Sequence, residues 1–274
     1  MKATGARRWV APLTVLTLLA LLALAGCSSD DPDAAEPTAG ASAVDSEAAV
    51  DPEQAVRDEC LSQVPPDAQI RPMTLEGATD GSLQALLFPS SGTRVALVLL
   101  PEVSGGVCGW GRFAAAAAGL GFSSVVVAPC LYGESTCSDA GDVDPLNEVA
   151  PAIEAARTEL GAERVALVGT SMGGSLTVIA AAAGADADTW IDVSGPAAWE
   201  GTGLLGLAPD LPAGGLVVMA RSDGDAAYAS AQRLAKRSGA RFLDGGSGHG
   251  YELLTDLDGK VSRVGRAVLA HAKG

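Results

Sequence analysis

The sequence predicts an α/β fold in which helices cover both faces of a mostly parallel β-sheet. Apolar runs of strand length alternate with helix-length segments over most of the chain, as in repeated βα units. The strand runs are apolar throughout, which is typical of strands buried on both faces. Hydrophobic residues make up 48% of the 274 residues but aromatic residues only 4%, so Ala, Val and Leu must form most of the core. One domain with appendages accounts for this length.

The predicted elements begin with a β-hairpin. Segments 70–77 and 82–88 flank a turn that contains Asp80-Gly81, and they are predicted to form a hairpin. The apolar run 95–100 is the first buried strand. The remaining elements are a helix that includes 114–121, strand 123–129, helix 144–160, strand 164–169, helix 171–183, strands 190–194 and 216–220, helix 226–237, strand 240–244 and helix 259–272. Because only about 20 residues separate strands 190–194 and 216–220, no large lid domain is expected.

Residues 1–26 are predicted to be a signal peptide. Lys2, Arg7 and Arg8 precede an apolar run over 9–25, which leads into LAGC at 24–27. LAGC resembles the bacterial lipobox, in which the cysteine is lipidated and becomes the first residue of the mature protein. Cys27 would then attach the chain to the membrane. An uncleaved transmembrane helix is the alternative, but about 17 apolar residues lie at the lower limit for spanning a bilayer.

Residues 27–59 are predicted to be the lipidated cysteine and a disordered acidic spacer. After Cys27 this segment has ten acidic residues and one basic residue, is rich in Ala, Ser and Pro, and shows no apolar periodicity. The folded domain is accordingly placed at 60–274. We expect an exported protein, held by its lipid on the extracytoplasmic face of the cell membrane.

The charge of the chain argues against a nucleic-acid partner. There are 18 basic and 33 acidic residues, a formal net charge of −15, and the basic residues form no stripe. Nucleic-acid binding requires clustered Lys and Arg. The chain also lacks the G-x-x-x-x-G-K phosphate loop and any cysteine or histidine pair with metal-ligand spacing. A monomer without metal or other cofactor is therefore expected.

The segment GTSMG at 169–173 matches the pattern G-x-S-x-G. The pattern alone is weak in a chain with 34 glycines, but here it begins at the end of a predicted strand and opens a predicted helix. Such a turn leaves no room for side chains at Gly169 and Gly173. Ser171 would stand at a helix amino terminus, where free N–H groups favour a developing negative charge. A glycine-rich helix start without a chemical role is the alternative.

A serine hydroxyl needs a general base to act as a nucleophile, and histidine suits that role near neutral pH. His249 lies in GGSGHG at 245–250, directly after the last predicted strand, so its loop should open at the same sheet edge as Ser171. The alternative is a loop histidine without a role. The other histidine, His271, falls in the terminal helix and is expected at the surface.

The acid that orients the histidine is expected in RSDGD at 221–225, which follows strand 216–220. This segment offers Asp223 and Asp225. We favour Asp223, since the first turn beyond the strand can direct its carboxylate toward the histidine loop. Asp225 is kept as the alternative acid, although it could instead cap the helix predicted to begin at residue 226.

The chain order Ser171, Asp223, His249 is that of the α/β-hydrolases. SMGG at 171–174, ARSD at 220–223 and HG at 249–250 resemble the nucleophile, acid and histidine segments of this family, over about residues 70–272. Esterase-like and dienelactone-hydrolase-like members without a large lid are the most similar. The resemblance implies a serine hydrolase that cleaves small carboxylic esters, or lactones or amides, through an acyl-enzyme and without a cofactor.

The loop after strand 95–100 departs from the family pattern. Family members commonly carry His-Gly or His-Gln there, whereas this chain has Pro101-Glu102. The resemblance implies an oxyanion hole formed by the backbone N–H groups of Met172 and Val103, with Ser104 as the alternative to Val103. A carboxylate at Glu102 would oppose a developing oxyanion unless it points away or meets a cationic substrate.

Two further functions remain open. One is a non-catalytic substrate-binding lipoprotein on the same fold, which the Pro101-Glu102 sequence favours. The other is a cell-envelope acyltransferase, in which a sugar or lipid hydroxyl replaces water. The sequence does not separate acyl transfer from hydrolysis.

Four cysteines remain once Cys27 is assigned to lipid. An even number in an exported protein predicts two disulfides, with three possible pairings. We favour Cys130–Cys137, which are close in sequence, and Cys60–Cys108, which would join the start of the domain to the loop near the site. Metal binding is the alternative, but the required ligand spacing is absent.

Overall fold

The computed structural model describes residues 51–256 and 258–274. Its strands are β1 (Arg71–Glu76), β2 (Ser82–Phe88), β3 (Val95–Leu100), β4 (Ser123–Val127), β5 (Arg164–Thr170), β6 (Thr189–Val193), β7 (Ala198–Trp199), β8 (Thr202–Gly203), β9 (Leu216–Met219) and β10 (Arg241–Asp244). Its helices are α1 (Pro52–Cys60), α2 (Gly111–Gly119), α3 (Asp139–Asp142), α4 (Val149–Thr158), α5 (Met172–Ala182), α6 (Leu204–Leu207), α7 (Asp225–Ser238) and α8 (Arg263–Lys273). The predicted signal peptide, Cys27 and most of the predicted spacer lie outside the described residues.

Eight strands form one sheet in the order β1-β2-β4-β3-β5-β6-β9-β10. The pairs β1–β2 and β2–β4 are antiparallel, and all other pairs are parallel. The predicted hairpin is confirmed as β1–β2, and Gly81 in its turn has a φ of 97°, a conformation that glycine adopts without strain. The prediction of a mostly parallel sheet is therefore confirmed.

Helices bury both faces of the sheet, as strand β3 shows. All six of its residues are buried, and they point alternately to opposite faces. Leu97 and Leu99 join a cluster that includes residues of α2 and α8. Ala96, Val98 and Leu100 join a second cluster, which includes residues of α4. The strands are continuously apolar for this reason, and their carboxyl ends carry the loops that form the candidate site.

Helix α1 corrects the predicted domain boundary at residue 59. Asp51 caps the helix by accepting a hydrogen bond from the N–H of Glu53, and proline stands at the start of its first turn. Val56 and Cys60 are buried, and Arg57 donates to the carbonyls of two residues of the following loop at 3.3 and 2.8 Å. The sequence does not predict this helix, because the segment is acidic and rich in alanine and only one narrow face of the helix is buried. Residues 51–59 thus belong to the folded domain.

Both predicted disulfides are present. Cys60–Cys108 joins the end of α1 to the loop after β3, and Cys130–Cys137 closes the loop after β4. In the described ranges, one group of potential metal ligands converges, and it consists of this second cysteine pair with Asp142. Because both cysteines are in a disulfide, they offer no thiolate to a metal.

The segment between β6 and β9 holds only short elements. The two-stranded hairpin β7–β8 is followed by the one-turn helix α6 and a single 3-10 turn. The absence of a large lid is thus confirmed for this segment. Among the described helices, none is both long and apolar enough to cross a bilayer.

Candidate active site

Ser171 stands at the sharp turn between β5 and α5. Its φ of 52° and ψ of −119° are unusual for a residue with a side chain, and such conformations concentrate at functional sites. A hydrogen bond stabilises the turn, because the N–H of Ser171 donates to the carbonyl of Val193 at 2.9 Å. The N–H of Gly173 donates to the carbonyl of Pro101 at 3.0 Å, which ties the start of α5 to the loop after β3.

The two glycines of GTSMG are required by close backbone contacts. A Cβ at Gly169 would lie 1.9 Å from the carbonyl oxygen of Gly173, and a Cβ at Gly173 would lie 2.1 Å from the carbonyl oxygen of Leu100. Neither clash can be relieved by rotating a side chain, since both involve backbone atoms. The pattern therefore reflects the tight strand-to-helix turn that the sequence predicted.

Asp223 and His249 are brought together from two separate loops. The Asp223 carboxylate lies 2.7 Å from Nδ1 of His249 through its Oδ1 atom. The Asp223 side chain is only 11% exposed, whereas that of His249 is 46% exposed. Ser222 supports the same contact, because its hydroxyl donates to the carbonyl of Gly248 and accepts from the N–H of that residue. Asp223 can thus hold the imidazole ring of His249, and part of that ring remains exposed.

Ser194 is a further residue of the site, which the sequence does not predict. It contacts Asp223 and the loop that carries His249. Its hydroxyl donates to Oδ2 of Asp223 at 3.0 Å and accepts from the N–H of Gly250 at 3.2 Å. It directly follows Val193, the residue that accepts from the N–H of Ser171. Ser194 also has a positive φ of 57°. The only signal in the sequence is a serine at the end of an apolar strand, and such serines are common.

In the described structure no hydrogen bond joins the hydroxyl of Ser171 to His249. Both residues are nevertheless connected to the end of β6: the N–H of Ser171 donates to the Val193 carbonyl, and the N–H of Gly250, next to His249, donates to the Ser194 hydroxyl. Hydrogen bonds between a nucleophile and its base are often long before substrate binds. The arrangement places Ser171, Asp223 and His249 in loops at the carboxyl ends of the strands.

The predicted oxyanion donors, Met172 and Val103, both have free backbone N–H groups. Among the described residues, neither N–H has an acceptor. Met172 begins α5, whose amino terminus favours negative charge. Val103 is 50% exposed and lies in a tight turn, which is closed by a bond from the N–H of Gly105 to the carbonyl of Glu102.

Tyr251 determines which N–H after β3 is free. The N–H of Glu102 donates to the Tyr251 hydroxyl at 2.9 Å, so the first N–H beyond the strand without a protein acceptor is that of Val103. The Tyr251 ring packs edge-on against Trp110, with 5.2 Å between the ring centroids. A Cβ at Gly105 or Gly109 would lie 2.5 or 2.6 Å from this tyrosine, so the glycine-rich loop fits around its ring.

The Glu102 carboxylate points away from the predicted oxyanion hole. Its Oε1 atom accepts from the N–H of Tyr251 at 2.9 Å. It also lies against Gly250, where an added Cβ would come within 1.7 Å of that atom. The departure from the family pattern thus has a structural role, because Glu102 binds the backbone next to His249.

Asp192 is a buried carboxyl beneath the site. Its Oδ1 atom accepts from the N–H of Gly195 at 2.9 Å, and it packs against Gly174 in the first turn of α5. Burial raises the pKa of Asp192 to about 7. Asp192 therefore shapes the turn that carries Ser194, and it is protonated in part near neutral pH.

Asp225 does not fill either predicted role. It is the first residue of α7 and is exposed, while Gly224 occupies the cap position. The expectation that Asp225 caps a helix beginning at residue 226 is wrong because the helix begins one residue earlier. His271 was expected at the surface, but it is half-buried and lies 2.8 Å from the carbonyl oxygen of Gly214.

The sheet order, the helices on both faces and the site at the strand ends define the α/β-hydrolase fold. No protein-family model matches the chain, and no curated protein matches it by sequence. Solved structures match it in fold.

Three of these structures illustrate the likeness. An esterase of Pyrococcus furiosus superposes with a TM-score of 0.64 at 10% identity, over 79% of this chain and 93% of the other. The enol-lactonase of Burkholderia xenovorans gives a TM-score of 0.59 at 15% identity, over 74% of this chain and all of the other. A CIB-like hydrolase of Thermoplasma acidophilum gives 0.53 at 19% identity, over 75% of this chain and 97% of the other. At these identities the likeness establishes the fold.

Proposed function

We propose that the protein is a serine hydrolase that cleaves carboxylic esters through an acyl-enzyme. The observation that carries the proposal is the constellation of Ser171 at its strained turn with the Asp223–His249 contact of 2.7 Å at the same sheet edge. The structural relatives include an esterase and an enol-lactonase, which supports esters first and lactones second.

The proposed reaction uses only groups of the chain and water. His249 accepts the proton of the Ser171 hydroxyl as its oxygen attacks the ester carbonyl, and Asp223 stabilises the resulting imidazolium. The N–H groups of Met172 and Val103 donate to the tetrahedral oxyanion. The C–O bond then breaks, and the leaving alcohol takes the proton from His249. Water, deprotonated by His249, hydrolyses the acyl-enzyme and restores the Ser171 hydroxyl.

The rival proposal, a non-catalytic binding protein, rested on Glu102 beside the expected oxyanion hole. The bond from the Tyr251 N–H to the Glu102 carboxylate favours the hydrolase instead, because it gives this carboxylate a structural role in the histidine loop. Acyl transfer to a second alcohol would use the same acyl-enzyme.

We also propose that the protein is exported and held to the membrane by a lipid on Cys27, acting as a monomer on small ester substrates. The two disulfides support export, because such bonds persist in oxidising compartments. The sequence LAGC at 24–27 supports lipidation.

A fluorophosphonate probe tests the proposed hydrolase. We expect the probe to label the wild-type protein at one residue, Ser171, and to leave the Ser171→Ala variant unlabelled. A panel of short and long acyl esters should then show preferred turnover of short, soluble esters, because no large lid covers the site. A folded protein that neither reacts with the probe nor cleaves any ester of the panel would contradict the proposal.

A further inference from the structure

An acidic cavity lies between α4, α5 and the β7–β8 hairpin. It has a volume of about 340 Å³ and borders the amino end of α4. Four carboxylates line it, and no lysine, arginine or histidine does; the four are Asp142, Asp144, Glu148 and Glu200. In the described part of the chain, none of these four forms an ion pair.

Glu148 is the unusual member of this group. It is only 8% exposed, yet its side chain lines the cavity. Its own backbone N–H donates to the carboxylate, no other described residue does, and the side chain does not cap α4. A buried carboxylate normally has a partner, because leaving it unpaired costs free energy. Apart from that one N–H, the described chain supplies no hydrogen-bond donor to this carboxylate.

The negative charges around Glu148 further disfavour the ionised form of its carboxyl group. Burial, with smaller contributions from Asp142 and Asp144, raises the pKa of Glu148 to about 7. Glu200 and Asp142 both lie near Tyr132 and help to raise the pKa of that hydroxyl. Bound positive charge would relieve the repulsion among these carboxylates and stabilise the ionised form of Glu148.

The spacing of the carboxylates disfavours a metal ion. A calcium or magnesium site gathers several oxygen ligands around one point. No three of the four carboxylates have oxygens within 4.8 Å of one another in the described structure. One of them is also constrained, since Asp144 accepts from the Leu146 N–H at 3.0 Å and from the Thr79 hydroxyl.

The walls of the cavity suit an organic cation. Leu176, Ile179, Val149 and Trp199 line it together with the carboxylates. An aromatic face attracts an ammonium group, and apolar walls accommodate its carbon substituents. Trp199 is placed by the tight β7–β8 hairpin, where Glu200 and Gly201 both have positive φ and Trp199 pairs with Thr202.

The cavity shares two elements of the chain with the proposed catalytic groups. Leu176 lies five residues along α5 from Ser171, a rise of about 7.5 Å at 1.5 Å per residue. Trp199 follows Ser194, which binds Asp223, by five residues. Both walls thus belong to elements that carry the proposed catalytic groups.

We propose that this cavity is a specificity subsite for the cationic ammonium group of an ester substrate, with Glu148 and Trp199 as its principal contacts. The proposal rests on the proposed hydrolase function, because it assigns the substrate class of that site. Direct binding and turnover are therefore measured separately.

Binding is tested with choline and its neutral analogue 3,3-dimethylbutan-1-ol, titrated into the Ser171→Ala protein by calorimetry. We expect choline to bind at least about tenfold more tightly than the alcohol. Glu148→Gln, which keeps the shape and removes the charge, and Trp199→Leu should each reduce that preference severalfold. Glu154→Gln removes an equal charge from the exposed side of α4 and should not change it. Circular dichroism spectra verify that each variant is folded.

Turnover is tested with two isosteric ester pairs. The first pair is acetylcholine and 3,3-dimethylbutyl acetate. The second pair is methyl 6-aminohexanoate and methyl heptanoate. We expect the cationic ester of at least one pair to have a kcat/KM about tenfold higher, and Glu148→Gln to lower that ratio.

The two proposals fail in different ways. Cleavage of the neutral esters without preference for either cationic partner, together with equal binding of choline and the alcohol, would overturn the subsite and leave the hydrolase standing. Tight choline binding that depends on Glu148, without labelling by fluorophosphonate or cleavage of any ester, would overturn the hydrolase and retain the cation site.

Discussion

Glu102 and Tyr251 bind each other twice. The Tyr251 N–H donates to the Glu102 carboxylate and the Glu102 N–H donates to the Tyr251 hydroxyl, each at 2.9 Å. These bonds connect the loop that carries Val103 to the loop that carries His249. The proposed oxyanion donor and the proposed base are therefore positioned by one pair of residues.

The first prediction tests this coupling. Tyr251→Phe removes the hydroxyl that accepts from the Glu102 N–H and should lower the free energy of unfolding by about 1–2 kcal/mol. It should also lower kcat for a short ester roughly tenfold, because the Val103 turn loses its support. Tyr228→Phe is the matched control. It also removes one tyrosine hydrogen bond, from Tyr228 on α7 to Asp244, which does not involve the Val103 turn, and it should leave kcat unchanged. Equal losses of kcat in both variants would speak against the coupling.

The second prediction separates the two candidate acids. Asp223→Asn should lower kcat by about 10⁴ with the fold intact, because the imidazole loses the anion that orients it. Asp225→Asn should change kcat little, since that side chain is exposed at the start of α7. Steady-state kinetics and circular dichroism of both variants provide the test. A folded Asp225→Asn protein without turnover, beside an active Asp223→Asn protein, would refute the assignment.

The third prediction concerns pH and stability. Burial raises the pKa of Asp192 from 3.8 to about 7, so the folded protein retains a proton that the unfolded chain releases above about pH 4. The stability contributed by this proton is fully present below pH 4 and is lost as pH rises through 7. Asp192→Asn should therefore flatten the fall in unfolding free energy between pH 4.5 and 7.5, by up to about 4 kcal/mol. Urea unfolding at several pH values measures this fall, and a variant whose slope equals that of the wild type would disprove the role of Asp192.

The fourth prediction ranks the disulfides. Cys60–Cys108 closes 48 residues and Cys130–Cys137 closes 7. Loop-closure entropy then assigns about 4 kcal/mol to the first and about 2 kcal/mol to the second. Urea unfolding of the two double-serine variants should show that order. Thiol titration of the denatured, unreduced wild-type protein should find none of these four cysteines free, and reactive thiols there would rule out the pairing.

The fifth prediction concerns the anchor. Cys27→Ser should release the protein from the membrane fraction or leave its signal peptide uncleaved, because lipid attachment requires the thiol. Ser28→Ala changes the neighbouring residue and should remain bound. Fractionation and mass spectrometry give the result, and a processed, membrane-bound Cys27→Ser protein would exclude lipidation.

The sequence predicted the sheet and the three proposed catalytic residues for a common reason. Ser171, Asp223 and His249 each follow an apolar strand, and parallel strands bring their carboxyl ends to one edge. Local pattern and topology suffice for such residues. Ser194 and Tyr251 could not be predicted in this way, because their roles depend on where a side chain points after the loops have packed.

The errors of sequence interpretation have equally local causes. Helix α1 was assigned to the spacer because its apolar face contains only Val56 and Cys60 within an acidic stretch. The start of α7 was placed one residue late, which gave Asp225 a capping role that Gly224 fills instead. The burial of Glu148 cannot be predicted from the sequence, because it depends on how α4 packs in three dimensions.

The bond between Cys60 and Cys108 also has a mechanical consequence. It fastens the end of α1 to the loop that follows β3, next to the residues that surround Tyr251. A pulling force applied at the amino end of α1 would pass through this covalent bond into that loop before it reached β1. Tension on a surface-attached molecule would thus act first on the loop after β3, and stretching single molecules during turnover would measure its effect on the rate.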